Sequence, residues 1–108
     1  MGLVADLRKI KKLLYHWTKG ACARTKDGEP VSPLSEEAYY FCLSGAIQRV
    51  NPSLAKLFFN YLKFRGSEHE SLVEWNDAHS KSGVLGLVDA VISCVKDKKH
   101  ETNTFERC

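Results

Sequence analysis

Apolar residues recur at spacings of three and four over the first 17 positions of the chain. The repeating set is Leu3, Leu7, Ile10, Leu14 and Trp17. This spacing places them on one stripe of an α-helix and predicts that the stripe faces a core. The opposite half of the helix and the residues just after it carry the cations Arg8, Lys9, Lys11, Lys12 and Lys19. The first predicted helix is therefore amphipathic, with a basic outer face.

The segment after this helix has the composition of an irregular loop. It reads KGACARTKDGEPVSP, over residues 19–33, and it contains two glycines and two prolines. The pair Asp27-Gly28 is typical of a tight turn. The pattern predicts one long irregular loop, or a short hairpin between two brief extended pieces.

A second helix is predicted from Ser35 to about Val50. Ser35 is a suitable N-cap, and Glu36 and Glu37 follow it in the first turn, where negative charge complements the helix dipole. Over residues 38–47 the sequence AYYFCLSGAI is apolar around nearly the whole helical circumference. A helix that is apolar on all sides is buried, so this one is predicted to be the central helix.

Two further helices complete the pattern. The third is predicted to begin at Asn51-Pro52, an N-cap followed by a first-turn proline, and to end before Gly66. The fourth is predicted to begin near Ser80 or Ser82. Its apolar positions fall on one side, and they are Val84, Leu85, Leu87, Val88, Val91, Ile92 and Val95.

The length of the chain limits it to one domain. A chain of 108 residues with 44% hydrophobic content fits a single compact unit. We therefore expect an all-α, small single-domain helical bundle of about four helices over residues 1–100, followed by a flexible C-terminal tail over residues 101–108. No apolar run approaches the ~20 residues that span a bilayer, so we expect a cytoplasmic protein that does not enter the membrane.

The stretch SLVEWNDAHS, residues 71–80, is the most particular in the chain. Asn and Asp side chains accept hydrogen bonds from nearby backbone amides, which is how they cap helices and fix turns. One interpretation is therefore structural: the segment clasps the third helix to the fourth, with Trp75 buried. The alternative is a surface pocket in which Trp75, Asn76, Asp77 and His79 bind a ligand.

Four segments of the chain carry a resemblance. In order they are HWTKGACARTKDGEPV, AYYFCLSGAI, SLVEWND and VLGLVDAVI. Together they resemble an uncharacterised family of small bacterial and phage proteins, known only as a domain of unknown function, over roughly residues 13–92. In that family an Arg-Thr pair commonly follows Trp-Asn-Asp, whereas HSKS stands here, so no role of that arginine carries over. The resemblance implies a helical fold and a bacterial or phage setting, but no activity.

Cysteine chemistry offers little support for a metal site or an enzyme. The cysteines are Cys22, Cys42, Cys94 and Cys108. They form no C-x-x-C pair, so zinc spacing is absent, and we expect no metal and no other cofactor. A small cysteine-dependent enzyme would need Cys42 or Cys22 to be activated by one of the four histidines. The residue types of a cysteine hydrolase are present as Cys42, His79 or His16, and Asn76 or Asp77. Since no phosphate loop, zinc helix or nucleophile elbow accompanies these residues, this is our third choice.

Charge is unevenly divided along the chain. Residues 1–26 hold seven Lys and Arg and one acidic residue, which is a net charge of +6. Residues 27–108 hold nine Lys and Arg and twelve acidic residues, which is a net charge of −3, and the two sum to the total of +3. A clustered positive field attracts acidic partner proteins or nucleic-acid phosphates. No DNA- or RNA-binding signature is present, so we expect a non-enzymatic interaction module that binds the acidic surface of a host protein. A nucleic-acid-binding accessory protein is the second choice.

Overall fold

The computed structural model describes residues 2–69 and 71–97. Its elements in chain order are α1 (Leu3–Leu13), β1 (Ala23–Arg24), β2 (Tyr40–Phe41), α2 (Leu43–Val50), α3 (Leu54–Phe64), α4 (Leu72–Asp77) and α5 (Lys81–Asp97). Helices make up 59% of the structure. The protein is therefore mostly helical, as predicted, but it is not purely all-α, and the described residues form five α-helices instead of four. The predicted tail, residues 101–108, lies outside the described residues.

Most of the predicted apolar stripe of α1 lies in the core, but Leu3 at its N-terminal end is 37% exposed. Leu7, Ile10 and Leu14 are fully buried, and Trp17 is half-buried beyond a single 3-10 turn. The helix packs against both α2 and α5. Burial of three large aliphatic side chains stabilises this packing by roughly 1.5–3 kcal/mol for each side chain, before the entropy cost of ordering them.

The loop after α1 forms a short antiparallel ribbon. Ala23 pairs with Phe41 and Arg24 with Tyr40. A separate tight turn contains Gly28, whose φ of 94° lies in the left-handed region that favours glycine, and it brings Arg24 into an antiparallel bridge with Pro30. The short hairpin suggested by the Asp27-Gly28 pair agrees with this turn, whereas the β1–β2 pairing joins residues farther apart in the chain.

The predicted start of the second helix at Ser35 is wrong. Ser35 Oγ accepts a hydrogen bond from Glu37 N–H at 3.0 Å, which fixes a local turn, and α2 begins only at Leu43. The chain is extended at β2 because its backbone pairs with β1, a partner distant in sequence. Cys42 takes over as the N-cap, and its Sγ accepts from Gly45 N–H at 3.3 Å.

Side-chain caps mark the starts of α4 and α5 but not of α3. The predicted N-cap position Asn51 is wrong: α3 begins at Leu54 after Ser53, whose side chain makes no cap hydrogen bond, and Asn51 Oδ1 accepts from Ser53 N–H at 3.1 Å in the turn before the helix. Ser71 Oγ accepts from Glu74 N–H at 3.1 Å at the start of α4, and Ser80 Oγ accepts from Gly83 N–H at 3.3 Å at the start of α5. These polar caps satisfy amides that have no partner inside the helix.

Gly45 allows α2 to approach the backbone of Cys22 closely, and it provides a test of the contact between α2 and the residues that precede β1. A Cβ added at Gly45 would overlap the carbonyl oxygen of Cys22, a backbone atom that cannot rotate away. We expect Gly45→Ala to lower the free energy of unfolding by about 1–3 kcal/mol, measured by urea denaturation. Gly86→Ala is the matched control, because a Cβ there meets nothing within 4 Å. It should stabilise α5 by about 0.5–1 kcal/mol, and equal effects of the two changes would contradict the expectation.

Candidate functional site

The Trp-Asn-Asp segment is a short helix and not a loop. Trp75, Asn76 and Asp77 form the second half of α4, which begins after the Ser71 cap. The helix buries Leu72, Trp75 and Asn76, while Asp77 is exposed. The polar residues of the segment therefore lie in two different environments.

Asn76 is fully buried and uses all of its hydrogen-bonding capacity inside the protein. Its Oδ1 accepts from Trp17 Nε1–H at 2.7 Å and from Leu43 N–H at 3.0 Å. Its Nδ2 donates to the Thr18 carbonyl oxygen at 3.3 Å and to Asp77 Oδ1 at 3.1 Å. An asparagine amide offers two donors and two acceptor positions, so none is left for a ligand.

This network joins parts of the chain other than those expected. Asn76 and Asp77 bind the segment that follows α1 and the first residue of α2, two segments that the predicted clasp did not include, while α4 also packs against α3. Asp77 Oδ1 also accepts from Gly20 N–H at 3.2 Å, where Gly20 has a φ of 84°. The sequence indicated a structural role for these side chains but could not show which segments they connect.

Trp75 and His79 face a different part of the molecule. Their rings stack with centroids 3.9 Å apart and 19° between the planes. His79 Nδ1 lies 2.7 Å from the Trp75 carbonyl oxygen, and because a carbonyl only accepts, Nδ1 is the protonated donor. Both rings line a shallow pocket of about 370 Å³ together with Arg65 and His69. The four residues of the second candidate site are thus divided between a buried network and this pocket.

Arg65 and His69 did not emerge from the sequence as site residues. His69 lies 6.0 Å from His79 between ring centroids, and its Nδ1 is 3.6 Å from Glu74 Oε1. The available signal was weak: His69 precedes α4 by three residues, a position from which a side chain reaches the first turn of the helix.

The cysteine-enzyme hypothesis finds no activated thiol at Cys42. Burial raises the pKa of the Cys42 thiol to about 11, so the thiol is protonated at neutral pH. His16 packs against Tyr39, and His79 against Trp75. Within residues 2–69 and 71–97, neither imidazole forms a hydrogen bond with Cys42. Cys42 is therefore not paired with either of these two imidazoles.

Three of the five predicted basic residues line one groove. Arg8, Lys11 and Lys12 are among its lining residues, whereas Lys9 and Lys19 are exposed elsewhere. Lys11 Nζ forms an ion pair with Asp89 Oδ1 at 2.8 Å, and this hydrogen bond raises the pKa of Lys11. The pair is solvent-exposed, so it contributes little to stability.

The surface that these cations share with α5 is named the α1 groove. It has a volume of about 450 Å³, and its lining residues are Arg8, Lys11, Lys12, Tyr15, Asp89 and Ile92. Tyr15, 51% exposed, brings an aromatic side chain to the cations. The sequence held a signal for Tyr15, which follows Lys11 by four positions and Lys12 by three, on the same helix face. The α5 residues could not be predicted, because only the packing of α1 on α5 brings them there.

The described part of the chain contains no group of three or more His, Cys, Asp or Glu side chains placed to hold a metal ion. Among its helices, none combines the length and the apolar character needed to cross a membrane.

The fold and the two surfaces define a small, mostly helical domain with a two-stranded ribbon. No family model, curated protein or solved structure matches the chain. The function is therefore inferred from the chemistry of the described side chains.

Proposed function

We propose that this protein is a non-catalytic interaction module that docks on an acidic protein surface through the α1 groove. One observation carries the proposal. Arg8 and Lys12 are exposed at the groove and, within the described residues, have no ion-pair partner, whereas Lys11 is neutralised by Asp89. Unpaired cations gathered on one surface favour a negatively charged partner and speed its encounter.

The composition of the groove favours a protein over a nucleic acid. Tyr15 and Ile92 add aromatic and aliphatic surface, and Tyr and Arg are enriched among residues that dominate protein–protein binding. The alternative, a nucleic-acid-binding accessory role, draws support from the net charge of +6 over residues 1–26.

A non-catalytic role is supported by the use of the reactive groups inside the fold. The Cys42 thiol caps α2, and the Asn76 amide is occupied by four internal hydrogen bonds. The family resemblance adds the setting that we propose: a bacterial or phage protein that acts in the cytoplasm and blocks or adapts a host protein.

Charge reversal in the groove tests this function. Arg8→Glu combined with Lys12→Glu leaves the buried face of α1 unchanged, so the fold should survive. We expect the affinity for the protein captured from a host lysate to fall at least about tenfold, because two favourable charges become repulsive. Isothermal titration of the purified partner measures the change.

The matched control reverses the same number of charges outside the groove, as Lys9→Glu combined with Lys81→Glu. Both residues are exposed, and neither lines the groove. This control should stay within about twofold of the unmodified protein at ~0.15 M salt, where distant exposed charges are screened. Equal losses in the two variants would indicate net charge and not the groove. Tight binding to a random DNA duplex that weakens steeply between about 50 and 200 mM salt would favour the nucleic-acid alternative.

A further inference from the structure

Two free thiols stand opposite each other where the β-ribbon meets α2. Ala23 pairs with Phe41, and the same register sets Cys22 opposite Cys42. The Cys42 N–H donates to the Cys22 carbonyl oxygen at 3.1 Å. Facing residues of an antiparallel pair have Cα atoms about 4.5–5.5 Å apart, which is within the ~4.4–6.8 Å that a disulfide spans.

The two side chains are also neighbours. The pKa of Cys42 is raised first by burial, and the adjacent Cys22 side chain raises it further by charge and by hydrogen bonding. Cys42 is 1% exposed, whereas Cys22 is only half-buried. A reagent in solution therefore reaches Cys22 first, and Cys42 lies behind it.

We propose that Cys22 and Cys42 form a reversible disulfide, which makes this junction a modification site for low-molecular-weight disulfides such as oxidised glutathione. The Cys22 thiolate attacks one sulfur of the small disulfide, and one small thiolate leaves. The Cys42 thiol then gives its proton to water and attacks the Cys22 sulfur, expelling the second small thiolate. Two protein thiols lose two protons and two electrons, and the small disulfide becomes two thiols.

The bond has a structural consequence for α2. It would join residues 20 positions apart and fix Cys22 covalently against the N-terminus of the helix, where Gly45 already leaves no free space. Closing such a loop restricts the unfolded chain, so the oxidised protein unfolds at a higher temperature than the reduced protein.

Peptide mapping tests the bond directly. The full-length protein is reduced with dithiothreitol, equilibrated with oxidised glutathione, blocked with iodoacetamide and digested with trypsin. Trypsin releases Cys22 in residues 20–24 and Cys42 in residues 27–49, and neither peptide holds another cysteine. We expect mass spectrometry to find these two peptides joined, and to find them separate after reduction.

The melting temperature supplies the second readout. We expect oxidation to raise it by about 10 °C in the unmodified protein. Cys22→Ser, treated identically, should show no joined peptide, and its melting temperature should rise by about 10 °C less than that of the unmodified protein. The difference between the two proteins removes any contribution of the other cysteines. A stable glutathione adduct on Cys22 without the joined peptide, absence of any reaction, or an equal rise in Cys22→Ser would each overturn the proposal.

Discussion

Asn76→Ala is expected to lower the free energy of unfolding by about 3–5 kcal/mol. The substitution removes the acceptor of two donors, Trp17 Nε1–H and Leu43 N–H, and the donor to the Thr18 carbonyl oxygen. An unsatisfied buried polar group costs about 1–3 kcal/mol, and these three groups lie around one fully buried side chain. Urea denaturation followed by circular dichroism measures the loss.

Asn60→Ala is the matched control for this change. Asn60 is exposed on α3, and a surface substitution of this kind should change stability by less than about 0.5 kcal/mol. If Asn76→Ala were as stable as the unmodified protein but lost its partner, the amide would belong to a ligand site and not to an internal network.

Trp75→Ala is expected to have a loss of similar size, about 3–5 kcal/mol, because it empties the space of a large buried ring. Trp75 is 8% exposed and belongs to the main core cluster, and its removal also strips the stacking surface from His79. Total stabilities of small domains are about 5–15 kcal/mol, so the variant should melt far below the unmodified protein or be insoluble.

Val73→Ala on the same helix separates burial from any general effect of changing α4. Val73 is 41% exposed, so its truncation should lower stability by no more than about 1 kcal/mol. A Trp75→Ala variant with an unchanged melting temperature but no partner binding would make Trp75 a contact residue of the surface pocket.

The predicted helices that proved correct are those whose signal is local. The three- and four-residue spacing of Leu7, Ile10 and Leu14 is sufficient for α1, and similar spacings define α3 and α5. The helix predicted over residues 35–50 failed in its first half because Tyr40 and Phe41 are as suitable for a strand as for a helix. Pairing with β1 makes these residues a strand, and the periodicity within one segment does not reveal such a pairing. Six-residue α4 was too short to show a helical period.

The residues of the candidate surfaces also divide into those that a local sequence pattern predicts and those that it does not. The cations of α1 are near one another in sequence, and their periodicity alone is sufficient to predict a basic outer face. Asp89 and Ile92 enter the same groove from α5, and Trp17 reaches Asn76 across 59 positions of the chain. Contacts of that range depend on how helices pack, and the sequence of one segment carries no sign of its distant partner.

The long reach of the Asn76 network determines when these segments can finish folding during synthesis. Thr18 and Leu43 are made first, and their hydrogen-bond partner Asn76 follows 58 and 33 residues later. The apolar face of α1 stays exposed longer still, because α5, which packs against it, begins only at Lys81. At translation rates of about 5–20 residues per second, these surfaces remain uncovered for several seconds. Folding is therefore expected to be a late, nearly all-at-once event, with the basic helix open to chaperones until then.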